Sequence, residues 1–577
     1  MSASKLFSRV PGPWSGGPSP RMWLVFGALM LAVAWLLTNH HPPWTTFHSD
    51  ALAACVLTLA AVVCLVRSPA SAPWHGMSCL AALLVPLPLI QFAFGLIPFA
   101  GDAWICTAYL LGFLLALLIA AREEPLHPDL LADGLFLAVA VAAVVSVGLQ
   151  LYQWMGLTQD DTVFDIWVHN STGDRPYANM GQPNQLATLL LWGMLGCAWG
   201  WLRGKLGGAV TALVLAYLLI GLALTQSRTA WLALSMMLLA AVVWRRMWPS
   251  RAAPWVLAGL IVWFLIASFS VGPLSHWLLL DVQTSVAGRT HWQVRPQVWA
   301  LFVEAALERP WWGYGWNQVP AAFGALILNY PELAGLRFAH AHNLFLDLVL
   351  WCGLPIGVLV SAALLWWLAS SARRVRDGRQ ALLLLLVLAA GNHAMLELPL
   401  HYAYFLLPVG LAVGMLNARQ GRRVLAWSGR RVLAGLVLVS TVLVALVIND
   451  YFRLEASFFT LRLEKARIGK LPPGQAPDVV LLTQLRELIV FARYEPATGV
   501  DEAALQRMRD VTNIYPTLPN LVKLSTVLAL NRHPQEAVLN QRRLCALLSP
   551  GECATGKVMW KEAQKAHPAL ASMVWPE

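Results

Sequence analysis

The stretch LFLAVAVAAVVSVGLQL at residues 135–151 carries no charged side chain. Extended to 131–156, it is long enough as a helix to cross a hydrocarbon core of about 30 Å. Similar blocks recur outward from it in both directions. They lie at about 23–38, 50–66, 76–94, 103–121, 185–202, 208–225, 229–244, 253–271, 344–369, 380–397, 402–418 and 431–449, which makes thirteen spans. Composition agrees, with 58% apolar and 12% charged residues against roughly 45–50% and 25% in soluble domains. The chain therefore reads as an all-α, polytopic membrane protein with about 13 transmembrane helices. A formal net charge of +11 would suggest nucleic acid in a soluble chain. Here the basic residues punctuate the apolar blocks, so they read as a topology signal and no nucleic acid is expected as a partner.

An odd number of spans puts the two ends on opposite sides of the membrane. With the N-terminus inside, the inner connections hold nineteen Lys and Arg, among them Arg67, Arg122, Arg203, Arg379 and Arg419. The outer loops hold six, namely Arg175, Arg228, Arg289, Arg295, Arg309 and Arg337. The positive-inside rule selects this orientation. No small-residue cleavage site follows the first block, which reads as an uncleaved anchor. Polar chemistry then gathers on the outer face, above all in the long loop 272–343, whose length and helical pattern over Val298 to Leu307 mark it as functional. The membrane domain so defined is 1–449. Residues 450–577 have an apolar period near 3.6 and no run long enough to span, the pattern of a small helical domain on the outer side. Within it, Leu518 to Leu548 is similar to a tetratricopeptide helix-turn-helix unit. Cys545 and Cys553 either pair in an oxidising compartment or stand as two unlinked thiols.

Several outer-face residue types suit chemistry on sugars and phosphates. His340-Ala341-His342-Asn343-Leu344-Phe345-Leu346-Asp347 lies where the long loop enters the tenth span. A histidine there can take the proton of a hydroxyl near neutral pH, or else merely cap the span or bond a loop carbonyl. Arg289 and Arg295 in the same loop favour a shared site. Arg228, after Gln226 and Ser227, either reaches lipid headgroups or anchors a diphosphate, which its planar and permanently charged fork suits. In the segment Tyr177 to Gln185, the amides of Asn179, Gln182 and Asn184 can read sugar hydroxyls, or simply build a turn and a cap. Tyr402 and Tyr404, with His401 and Glu397, lie at another outer span end, a position the aromatic belt alone explains. Asp160, Asp161 and Asp165 are loosely spaced for a divalent cation, so no metal is expected. Trp311-Trp312-Gly313-Tyr314-Gly315 is similar to the WWDYG element of N-linked oligosaccharyltransferases, but Gly313 replaces its defining acid.

Arg295-x-x-x-Trp299, Glu308 to Gly315 and His340-Ala341-His342-Asn343-Leu344-Phe345 together closely resemble the membrane domain shared by O-antigen ligases, Wzy-type polymerases and bacterial O-oligosaccharyltransferases, over about 205–365. Further elements resemble the PglL type of protein O-oligosaccharyltransferase: His40-His41-Pro42-Pro43-Trp44 to Asp50, Pro88 to Asp102, Gly181-Gln182-Pro183-Asn184-Gln185 and Glu397 to Phe405. This resemblance implies a GT-C-like fold. It also implies transfer of a preassembled glycan from an undecaprenyl diphosphate carrier to Ser or Thr of a periplasmic protein such as a pilin, in the bacterial inner membrane with the site facing the periplasm and with no cofactor. It puts the family's essential His on His342, its Gln on Gln182, its Tyr on Tyr402 or Tyr404, and its loop Arg on Arg295 with Arg289 as runner-up. Arg228 takes the Ser-Arg position, and His340 and Asn184 fall among the substrate-binding residues. The alternatives are an O-antigen ligase acting on a lipid A core sugar and a lipid-linked sugar flippase.

Overall fold

Inside lipid, a backbone without water must satisfy its own polar groups, and an apolar chain does so as helix. The computed structural model describes residues 20–67, 70–159, 166–170, 175–248, 253–280, 291–469 and 474–576. The apolar blocks are predominantly helical. They form α1 (Pro20–Ala34), α2 (Phe47–Arg67), α3 (Gly76–Leu84), α4 (Leu87–Ala93), α5 (Ala100–Leu126), α6 (Leu130–Trp154), α7 (Pro183–Leu202), α8 (Gly208–Leu224), α9 (Arg228–Val243) and α10 (Ala253–Trp277). The long loop contributes α11 (His291–Glu308) and α12 (Val319–Leu326). Next come α13 (Leu344–Arg373), α14 (Gly378–Ala394), α15 (Ala403–Arg419) and α16 (Arg430–Lys465), and the tail adds α17 (Thr483–Arg493), α18 (Glu502–Ile514), α19 (Leu518–Leu530), α20 (Pro534–Leu547) and α21 (Pro550–Ala566).

Among the described residues, eight helical stretches are long and apolar enough to cross a membrane, and further apolar helices, including α8, α9 and α15, are shorter. The third expected span is broken into α3 and α4, with Pro86 and Pro88 at the break, where a missing N–H and a fixed φ interrupt the helix. α16 runs on to Lys465 without interruption, sixteen residues beyond the expected span end at 449. Polar residues such as Asn449 and Asp450 end the apolar run but are no helix breakers. The tail continues this helix directly. Its α19 and α20 form the helix-turn-helix pair, latched where Asn540 Nδ2 donates to the Leu521 carbonyl at 2.7 Å. Cys545 and Cys553 are disulfide-bonded. Leu544 and Leu547 of α20 share one apolar core with Phe302 and Phe323 of the long loop, so tail and loop pack as a unit.

The motif Trp311-Trp312-Gly313-Tyr314-Gly315 has a structural role. α13 is interrupted at Gly353 (φ 77°), and Leu354 N donates to the Pro310 carbonyl at 2.7 Å while Tyr314 N donates to the Leu350 carbonyl at 2.7 Å. A Cβ on Gly353 would lie 2.4 Å from the Trp311 carbonyl oxygen, and one on Gly313 the same distance from that of Leu350. Two chain segments touch backbone to backbone there, which only glycine permits.

Loops assigned to one side of the membrane converge. β1 (Ala72–Trp74) pairs antiparallel with β2 (Ala426–Ser428), with Pro73 opposite Trp427. Asp129 accepts from Arg203 Nη1 at 2.7 Å, Arg379 Nη1 at 2.7 Å and Arg419 Nη2 at 2.6 Å. Asp133 takes Lys205 Nζ at 2.6 Å, and Glu124 pairs with Arg419 at 2.7 Å. These groups come from connections expected on the inner side, and Asp133 from the adjoining start of the 131–156 span.

Candidate functional site

At the opposite ends of α7 and α14 a second polar cluster forms around one carboxylate. Glu397 follows α14, whose length of 17 residues separates it from Arg379 by about 25 Å. Gln182 Nε2 donates to Glu397 Oε2 at 3.3 Å, and Asn184 Nδ2 to Oε1 at 3.4 Å. Arg295 Nη2 lies 3.8 Å from Oε1, and His342 Nδ1 lies 3.3 Å from Oε2. Four residues expected in the site, from three distant segments, therefore meet on a fifth that the sequence left unassigned. Burial pushes the Glu397 carboxyl up, but the hydrogen bonds and charge around it, His342 foremost, outweigh this and hold it below the ordinary carboxylate range. It is an anion at neutral pH.

The local chain fixes His342 firmly. Asn343 caps α13, its Oδ1 accepting from Phe345 N at 3.0 Å and Leu346 N at 3.3 Å. Ala341 is held on both sides, its N–H donating to Asp347 Oδ1 at 2.7 Å and its carbonyl accepting from Trp299 Nε1 at 3.0 Å. His342 sits between these anchors in the left-handed region, φ 54°, a conformation that costs a residue with a Cβ on the order of 1 kcal/mol. The capping role belongs to Asn343. The loop-carbonyl contact is real, since His342 Nδ1 lies 3.1 Å from the Leu396 carbonyl oxygen. That oxygen and the Glu397 carboxylate are both acceptors, so Nδ1 carries a hydrogen, and in the neutral imidazole the lone pair lies on Nε2. The orientation is that of a general base held by a carboxylate.

His340 stands behind it, ring centroids 4.1 Å apart, and is buried. Burial, and then the neighbouring imidazoles, hold its pKa well below the ordinary histidine value, so it is neutral. Arg228 opens α9 after Ser227 and is exposed. Its charge acts on Arg295, whose pKa burial lowers, Glu397 raises and Arg228 lowers again. A guanidinium at a helix N-terminus, with a second one within electrostatic reach, makes a place for an anion. Ser227 Oγ donates to Asn184 Oδ1 at 2.8 Å, and Arg175 donates to the same oxygen at 3.3 Å and to the Thr225 carbonyl at 2.7 Å. Arg175 and Ser227 thus join the cluster; Ser227 stood in the Ser-Arg pair without a role of its own, and neither motif nor spacing singled out Arg175. Arg289, Asp160, Asp161 and Asp165 lie outside the described residues.

The remaining expected residues divide. Tyr404 is buried, and its hydroxyl donates to Gln185 Oε1 at 3.0 Å. Tyr402 stacks on it at 5.4 Å and is only partly buried. Asn179 is committed to the backbone, donating to the Leu36 and Trp167 carbonyls at 2.7 and 2.9 Å and accepting from His169 N at 2.9 Å. It builds the turn rather than facing a ligand.

Comparison with known proteins agrees with this geometry. Residues 213–361 match the family described as O-antigen ligase, 380–549 the C-terminal region of the virulence factor membrane-bound polymerases, and 176–201 the protein glycosylation ligases. The three matches cover the segments that supply Gln182, Asn184, Arg228, Arg295, His342 and Glu397. The chain is 28% identical over 529 residues to a general O-oligosaccharyltransferase of Acinetobacter baylyi, spanning 89% of this chain and 90% of that protein. It is 25% identical over 405 residues to a ComP-specific O-oligosaccharyltransferase of the same organism, spanning 69% and 71%. Apolar helices, polar cluster and matched segments converge: the chain is similar to the PglL-type O-oligosaccharyltransferases of the O-antigen ligase superfamily and is a multi-pass membrane glycosyltransferase.

Proposed function

We propose that the protein transfers a preassembled glycan en bloc from an undecaprenyl diphosphate carrier to Ser or Thr hydroxyls of periplasmic, pilin-like proteins. It does so from the bacterial inner membrane, with thirteen crossings and the Glu397 cluster facing the periplasm. The observation that carries the reading is the His342 geometry: Nδ1 is engaged by two acceptors, one of them the Glu397 carboxylate that Arg295 also approaches, and Arg228 lies within electrostatic reach of Arg295. In the step, the acceptor oxygen attacks the anomeric carbon as its proton passes to His342 Nε2. The bond from that carbon to the phosphate oxygen breaks, with inversion, and the lipid diphosphate departs against Arg228 and Arg295. Such charge stabilisation needs no divalent cation. Glu397 orients and stabilises the imidazolium, Gln182 and Asn184 connect it to the sugar side, and Tyr402, the more accessible of the tyrosine pair, faces the substrate. His340 is a positioning residue behind His342, and Arg289 is a further candidate for the donor.

The two Acinetobacter proteins whose names specify O-oligosaccharyl transfer support this choice of acceptor. The match of 213–361 to the O-antigen ligases favours, as the second reading, a lipid A core sugar as acceptor. A flippase gives way because the chain is a transferase. The test is transfer by the purified protein from a lipid-diphosphate glycan to a pilin-like protein or to lipid A core. Glycosylation of the protein, unchanged in EDTA, is the expected result. Transfer to core sugar alone supports the second reading, and a loss in EDTA restored by Mg²⁺ or Mn²⁺ contradicts metal independence.

A further inference from the structure

A second histidine–carboxylate cluster lies outside the proposed chemistry. His41, in the loop after α1, and His48, in the first turn of α2, meet Glu455 of α16. Glu455 Oε1 lies 3.5 Å from His41 Nε2 and 3.7 Å from His48 Nε2, and the three ligand atoms all lie within 4.8 Å of one another. Glu455 is 25 residues into the 36-residue α16, roughly 37 Å from Arg430, which puts it beyond the thickness of a hydrocarbon core.

These distances are long for hydrogen bonds but close to the edges of a metal tetrahedron. Nitrogen and oxygen ligands ~2.0–2.2 Å from a zinc ion lie ~3.4 Å from each other. The tautomer points the same way. His41 Nδ1 faces the Pro42 carbonyl at 3.3 Å, so it is the donor and Nε2 presents a lone pair. That is the outer-shell contact that orients metal-bound histidines. The lone pair faces Glu455 Oε1, which is buried and makes no hydrogen bond of its own among the described residues, while the Tyr451 hydroxyl reaches the same carboxylate. Acceptor therefore faces acceptor unless a proton or a metal cation lies between them. Protonating both imidazoles would place two positive rings 5.6 Å apart, whereas one divalent ion satisfies all three ligands at once. His41 is 42% exposed at its side chain, which leaves an entry path and an open fourth position for water.

The Glu397 cluster differs. His340, His342 and Glu397 are also close enough to share an ion, but there the carboxylate is engaged by amide and guanidinium donors and His342 Nδ1 is a donor. We infer that His41, His48 and Glu455 form a zinc site of the two-His, one-carboxylate type. Its ion fastens the α1–α2 loop to the shaft of α16 that carries the tail. It shares no residue with the Glu397 cluster and takes no part in transfer.

The test uses the full chain in detergent, stripped with chelator and dialysed against Zn²⁺ or Co²⁺, with metal content and the visible spectrum of cobalt as readouts. One ion per chain and the intense bands of tetrahedral cobalt are expected. His48→Ala and the shape-conserving Glu455→Gln should each reduce binding at least tenfold while eluting as the same species on gel filtration, and His342→Ala should bind as the parent does. Zinc should also raise the melting temperature of the parent and not of Glu455→Gln. No bound ion, or an ion retained in His48→Ala and Glu455→Gln but lost in His342→Ala, overturns the inference.

Discussion

The two ends of the helical bundle gather charge in opposite ways. At one end Asp129 and Asp133 are closed over by Arg203, Lys205, Arg379 and Arg419 at 2.6–2.7 Å for the shortest contact of each. At the other, Glu397 is reached by Gln182, Asn184, Arg295 and His342 at 3.3–3.8 Å. The same helices serve both, since α14 carries Arg379 at its start and leads to Glu397 at its end, and α7 runs between Asn184 and the Arg203 corner. Short ion pairs between oppositely charged side chains fasten loops together. Longer contacts, around one carboxylate and beside two arginines, leave donors that a substrate can re-engage. One end is read as a clamp, the other as a workplace.

The comparison breaks first at His342. His342→Ala should leave the clamp and the assembled protein intact and reduce transfer by about 10²- to 10⁴-fold, the usual contribution of a general base. Undiminished transfer by the purified variant removes His342 from the mechanism. Arg295→Ala and Arg228→Ala come next, each costing about 10²- to 10³-fold in kcat with little change in gel-filtration profile, as expected for groups that stabilise a departing anion. Equal losses in Arg203→Ala, measured per folded molecule, would erase the distinction between the two ends.

Smaller effects sharpen it. Asp129→Asn should lower stability by about 2 kcal/mol, less than for a fully buried network because Arg379 is partly exposed, and should leave transfer per folded molecule unchanged. Acid should destabilise the outer end through His340. Its folded pKa is depressed by burial, so the unfolded chain binds the proton more readily and stability falls as pH drops below the ordinary histidine value near 6.5. Melting curves from pH 8 to about 5 should show this, and His340→Gln should flatten them. An unchanged slope in that variant assigns the effect elsewhere.

How much of this the sequence discloses depends on whether a property is local. Apolar runs named the helices because composition alone decides what can enter lipid. They gave the third span its bounds but not its break at Pro86, and they missed the end of α16, where the apolar run stops but helix-compatible polar residues continue. His342, Arg295, Arg228 and Gln182 were legible because short motifs carry them. Glu397 was not, because its partners lie 213 and 215 residues away at Asn184 and Gln182, and its neighbours Leu398 and Pro399 give no hint of a hub. Arg175 was hidden for the same reason. Burial separated Tyr402 from Tyr404, a distinction that two aromatics one residue apart at a span end cannot carry in sequence.

The most direct test of the central claim pairs Glu397→Gln with Asp129→Asn in one transfer assay on purified, gel-filtered protein. Glutamine keeps the size of Glu397 but can offer His342 a donor where a carboxylate was, turning the imidazole to the wrong tautomer. The account predicts a fall in kcat of at least about 10²-fold for Glu397→Gln at unchanged melting temperature, and a lower melting temperature at unchanged kcat for Asp129→Asn. Full activity in Glu397→Gln, or loss of kcat in Asp129→Asn alone, would contradict it.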